Sequence, residues 1–230
     1  MAGDARSILS ELEVVARERA HRAEVPALGD AVTALKQYQQ QRFARTYADL
    51  LFHPRYAAAS RFFLDELYGP RDFSERDAQF ARVVPALVRL FPQEIVDAVD
   101  VLARLHALSE RLDTNMARHL VGQPLDLTAY ARAWQASCRP EEREMQISLT
   151  LCIGRDLDRL TRKPFLRTTL HLMRGPARAA GLPALHLFLE MGFDTFMAMG
   201  GAVDFLETVG RRVRLMVSNP IRPRPDCMRR

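Results

Sequence analysis

The chain has 230 residues, 48% of them apolar and 27% charged, long enough to bury a core as one large domain or two small ones. Its net charge is +5, but from Arg211 onward seven arginines face a single acid, Asp226, which leaves everything before them at −1. That placement speaks against a nucleic-acid-binding domain, which needs a basic face on the fold itself, and no apolar run approaches the ~18–20 residues of a membrane span.

In chain order, Asp4 is placed to cap a first helix of about 5–23, with Ile8, Leu9, Leu12 and Val15 on one face. Pro26 opens a long second helix to about Phe52. Its middle, Lys36 to Arg42, is polar on most sides and reads as a solvated face. Pro54 suits a first turn, so a third helix is predicted from Pro54 to Tyr68, ended by Gly69 in a left-handed cap and by Pro70. Ser74 with Asp77 resembles a capping box for a helix of about 75–91 that Pro85 interrupts. Pro92 opens the next, to about Leu120, before Gly122. Asp126 caps a shorter helix holding Tyr130 and Trp134. Pro140, followed by Glu141 and Glu142 near the positive helix end, opens another to about Arg162. Pro164 opens one that ends near Gly175-Pro176, Pro183 one that ends near Gly200, and a last helix covers about Ala202 to Ser218.

No stretch alternates as a strand does, and Leu and Ala outweigh Val and Ile. The expected fold is all-α: a single multi-helix bundle of about nine or ten helices over 1–218, mostly opened by proline, with a soft division near 122–125. The Arg- and Pro-rich tail, 219–230, is expected to be disordered.

The third helix concentrates Phe62, Phe63, Leu64, Asp65, Glu66, Leu67 and Tyr68. So many large side chains on a short element imply a central core helix, each worth roughly 1.5–3 kcal/mol when buried. Asp65, Glu66 and Tyr68 are its candidates for lining a pocket or meeting a partner. The stretch resembles the signature of a bacterial family named for a Phe-Phe-Leu-Glu-Glu-Leu-Tyr (FFLEELY) motif, with Asp65 in place of the first Glu. Gly69-Pro70-Arg71-Asp72-Phe73-Ser74 and Phe188-Leu189-Glu190-Met191-Gly192-Phe193 resemble that family as well, so the likeness spans most of the chain. It implies a fold and a lineage, an uncharacterised domain of unknown function, and it brings no catalytic residue with it.

Two helices carry a His four residues before an acid, His106 with Glu110 and His186 with Glu190, which puts each pair on one helix face. Two such faces meeting in a bundle could hold a metal, although the usual Glu-x-x-His order is absent. His171 and His186 lie among Leu, Met and Phe, where a haem iron could find a ligand. A hydrogen-bonded core histidine is the simpler reading of each. Met191, Phe193, Phe196, Met197 and Met199, interleaved with glycines, suit a core bend, a pocket or an oligomer interface. There is no Gly-x-Ser-x-Gly elbow and no Gly-rich phosphate loop. Three cysteines, Cys138, Cys152 and Cys227, without Cys-x-x-Cys spacing suggest neither a disulfide framework nor a zinc knuckle. The first residues show no basic region ahead of an apolar run, so no signal peptide is expected, and a reducing cytoplasm is the expected compartment. The leading expectation is a cytoplasmic helical protein without catalytic activity or cofactor that works through protein contacts, a homodimer among them. The alternative is a bundle that binds a metal, a haem or an apolar small molecule.

Overall fold

A computed structural model describes residues 3–67, 69–137 and 139–218. Among them the chain is helix and loop throughout, with no strand. The helices are α1 (Ala5–Glu24), α2 (Pro26–Thr46), α3 (Ala48–Phe52), α4 (Ala57–Phe62), α5 (Ser74–Leu90), α6 (Gln93–Ala117), α7 (Leu127–Ala136), α8 (Pro140–Thr161), α9 (Pro164–Leu172), α10 (Arg174–Ala179), α11 (Pro183–Met199) and α12 (Val203–Ser218). A π-helical turn, Phe63–Leu67, continues α4. Tyr68 and the tail 219–230, for which a partner-facing role and disorder are expected, lie outside the described residues.

The expected helix starts are largely where local chemistry puts them. Asp4 Oδ1 accepts the Ser7 N–H at 2.8 Å, and Asp126 Oδ1 accepts that of Ala129 at 2.7 Å. Pro26, Pro140, Pro164 and Pro183 open α2, α8, α9 and α11, where a missing N–H forfeits no bond. Gly200 ends α11 at φ +65°, the left-handed cap that glycine adopts without a steric penalty.

Several local expectations are corrected. The second helix breaks at Tyr47 (φ −114°, ψ 25°), which is fully buried and whose hydroxyl donates to the Val209 carbonyl at 3.2 Å. Pro54 lies in the turn that follows, and the signature helix starts only at Ala57. Ser74 is helical rather than capping; Asp72 Oδ1 accepts its N–H at 2.9 Å, and Asp77 turns inward instead of closing a box. Pro85 gives up one backbone bond within α5 without ending it. At Gly69 the side-chain-free Cα is needed because a Cβ would sit 2.9 Å from the Asp65 carbonyl oxygen. The helix opened by Pro164 stops at Met173, and Pro176 falls in the first turn of α10.

The core gathers around α6, which packs against α1, α2 and α8. Ile8 and Leu12 meet Val84, Val96 and Ala103; Leu28, Val32 and Leu35 meet Met116, Leu120, Tyr130 and Ala133. Ala98 meets Ile153 and Leu160. The largest cluster joins α3, α4, α8, α11 and α12 through Leu50, Ala59, Leu151, Phe196 and Phe205, with Tyr47 and Phe63 among them. α12 approaches α8 closely because Gly154 faces Leu206 and Gly210 faces Leu151, where added Cβ atoms would collide.

Phe62, Phe63 and Leu64 are buried in succession. Successive α-helical residues point about 100° apart, so three buried neighbours require cover on most sides of the element. Phe62 stacks on Phe188 at 5.5 Å and lies over Gly192, while Phe63 sits between Phe196 and Phe205 at 6.1 and 5.9 Å.

Candidate functional site

On α6, Val99, Ala103, His106, Glu110 and Asp113 are spaced four, three, four and three residues apart, so they share one face. The first half of this face is apolar and the second half is ionisable. It lines an interhelical cavity of about 510 Å³. Leu12 of α1, Phe80, Val83 and Leu87 of α5, and Phe205 and Val209 of α12 extend the apolar wall. Lys36, Gln39 and Arg42 of α2, Tyr130 and Trp134 of α7, and Arg143 and Gln146 of α8 make the polar end. Gln146 Nε2 donates to Ser109 Oγ at 2.8 Å, which ties the α8 wall to α6.

Each ionisable group at this end has a different balance of burial and charge. Glu110 is buried against Arg22, with Lys36 Nζ at 2.7 Å and Arg19 at 3.9 Å. Burial alone would raise its pKa; the Lys36 and Arg22 charges outweigh that and hold it at about 2. For Asp77 burial also pushes up, yet the His106 hydrogen bond and the Arg19 and Arg76 charges keep it below the usual carboxylate range. His106 Nε2 and Arg19 Nη2 both reach Asp77 Oδ2 at 2.8 Å. Asp113 has no cation within ion-pairing distance among the described residues; Gln39 Nε2 donates to it at 3.3 Å, and burial pushes its carboxyl up. Burial likewise raises the Tyr130 phenol, over which Arg42 lies 5.1 Å from the ring centre.

Arg143 stands apart. It is only 5% exposed, its guanidinium stacks 4.3 Å over Trp134, and Nη1 donates to Gln146 Oε1 at 3.2 Å. Among the described residues no carboxylate comes within ion-pairing distance of it.

The residues singled out in the sequence fall into separate places. His106 and Glu110 belong to the networks just described. His171, His186 and Glu190 come together between α9 and α11, where His186 also borders the cavity: Glu190 Oε1 lies 3.5 Å from His186 Nε2, 3.9 Å from His171 Nε2, and accepts from Arg174 Nε at 2.7 Å. The Arg174 guanidinium already occupies the oxygen that both imidazoles face. Among the described residues no group of three or more His, Cys, Asp or Glu side chains is placed to hold a metal ion. Phe193, Phe196 and Met199 are buried in the core, while Met191 is half-buried and Met197 sits at the surface edge. Asp65 is exposed, and Glu66 pairs with Arg71 at 3.1 Å.

The polar middle of α2 is not the solvated face expected of it. Lys36, Gln39 and Arg42 turn inward onto Glu110, Asp113 and Tyr130. A signal was present: Leu28, Val32, Leu35, Gln39 and Arg42 keep one spacing of four, three, four and three, so the core stripe continues into polar residues without changing face. Nothing local marks Arg143 as buried.

No helix among the described residues is long and apolar enough to cross a membrane. A family model described as "Domain of unknown function (DUF8198)" matches residues 18–225. No curated protein and no solved structure matches the chain.

Proposed function

The chain belongs to this family, whose description assigns no activity, and we propose on the geometry that it is a non-catalytic binding protein that holds an apolar small molecule between its helices. The observation that carries this reading is the cavity of about 510 Å³, within the ~300–1,000 Å³ range of small-molecule pockets and, like them, apolar with a few convergent polar groups. Helices on both sides of Gly122 contribute walls, which supports treating 1–218 as one domain. The Phe62–Leu67 stretch and the Phe188–Phe193 stretch support a bacterial lineage of the FFLEELY-motif type. The free thiol of Cys152 supports a cytoplasmic compartment.

Trp134 is the only tryptophan and borders the cavity, so it reports on occupancy directly. Titration with dodecan-1-ol, a neutral chain, is expected to change Trp134 emission saturably. It should also raise unfolding stability by about 2.7 kcal/mol when free ligand reaches a hundredfold Kd. If neither signal moves up to the solubility limit of the alcohol, the reading is wrong.

A second reading, self-association, is favoured by the outer side of α9. Phe165 and Leu172 lie seven residues apart on one face and are 82% and 73% exposed, with Leu187 of α11 at 56%. Sedimentation velocity should then show a concentration-dependent dimer that the double variant Phe165→Glu, Leu172→Glu abolishes. A wild-type chain that stays monomeric at high concentration removes this reading.

A further inference from the structure

A buried arginine without a counter-charge is costly, because desolvation of the guanidinium is not repaid. Arg143 comes near that case: it is buried, stacked on Trp134, given one neutral side-chain acceptor and borders the cavity, and the one carboxyl that feels its charge, Asp113, lies beyond ion-pairing distance. Asp113, at the same end of α6, does not pair with it. Arg42 and Lys36 border the same end, and Lys36 is already engaged by Glu110. The polar end is thus rich in cations, while the wall toward Leu151, Phe205 and Val209 is hydrocarbon. On α8 the face that carries Arg143 continues as Ile147 and Leu151, four and eight residues on, about 12 Å along the helix, and Phe205 and Val209 extend that wall, which suits an alkyl chain.

We infer that the cavity takes a single-chain amphipathic carboxylate, its chain along the apolar wall of Ile147, Leu151, Phe205 and Val209 and its head group on the Arg143 guanidinium. The planar fork of Arg143 matches a carboxylate in two parallel hydrogen bonds, and the stack on Trp134 fixes the plane in which that fork is presented. This inference rests on the small-molecule reading above and specifies the ligand's chemical class.

The test compares three probes of equal chain length, all below their micelle concentrations, by calorimetry and Trp134 emission: dodecanoate, dodecan-1-ol and dodecylammonium. Dodecanoate is expected to bind at least ten times more tightly than the alcohol, and dodecylammonium more weakly than either. Arg143→Gln should bring dodecanoate down to the level of the alcohol measured on the same variant. Arg143→Lys, which keeps the charge but loses the fork, should retain only part of the difference. The wild-type comparison stands whether or not either variant folds. If the alcohol binds and dodecanoate binds no more tightly, or if dodecylammonium binds best, the carboxylate assignment is overturned and the cavity reading survives. If none of the three binds, both fall.

Discussion

Glu110→Gln is expected to cost about 3–5 kcal/mol of folding stability, the range for breaking a buried ion pair by removing one partner. Arg22, 8% exposed, would keep its charge without the carboxylate that now offsets it, and Lys36 would lose its 2.7 Å contact. The loss should also have a pH signature. Glu110 titrates at about 2 in the fold against 4.5 for an ordinary glutamate. A depressed carboxyl stabilises the folded chain fully above the unfolded value, and that contribution fades as pH falls from about 4.5 toward 2. The gap corresponds to about 3 kcal/mol. Urea unfolding of wild type and variant at neutral pH and again near pH 2.5 checks both points: the difference between the two proteins should be large at neutral pH and shrink in acid. A variant within 1 kcal/mol of wild type at neutral pH would mean that Arg22 finds solvent once Glu110 is gone.

Phe63→Ala is expected to cost a similar amount, about 3–5 kcal/mol, from lost burial and the space left behind. Phe63 is 6% exposed, touches Phe62, Phe196 and Phe205, and belongs to the cluster that joins α3, α4, α8, α11 and α12. It also borders the interhelical cavity, so on the proposed reading the variant should bind dodecan-1-ol with altered affinity as well as unfold earlier. Phe165→Ala is the control. At 82% exposure it should leave chain stability within about 0.5 kcal/mol. Denaturant midpoints of the two variants side by side would decide; comparable losses would contradict the burial argument.

The helical class and most helix starts were legible because they are written in local chemistry. A proline at a first turn, Asp4 and Asp126 as caps, and Gly200 as a stop each act within a few residues. The break at Tyr47 was not legible because its hydrogen-bond partner is Val209, far along the chain. The same division holds at the candidate site. His106 and Glu110 could be placed on one face of α6 from spacing alone. Their partners Arg19, Arg22, Lys36 and Asp77 come from α1, α2 and α5, and no pattern within α6 names them. Arg143 had no sequence signal at all, since its burial follows from the antiparallel approach of α8 to α6 and from Trp134 on α7. The polar half of the α2 stripe could have been read. A constant four-three spacing that runs from Leu35 into Gln39 and Arg42 argues for an inward polar face, whatever the hydropathy of the residues.

The π turn at Phe63–Leu67 bears on how the chain tolerates changes in length. A π turn closes its hydrogen bonds over one residue more than an α turn does. Loss of one residue there could let the backbone tighten into ordinary α geometry with both ends left where they are. Loss of one residue from α6 would instead rotate everything beyond it by about 100° and carry Glu110 and Asp113 off their face. The signature segment is therefore a place within a helix where a single-residue deletion can be absorbed locally, and α6 is one where it cannot.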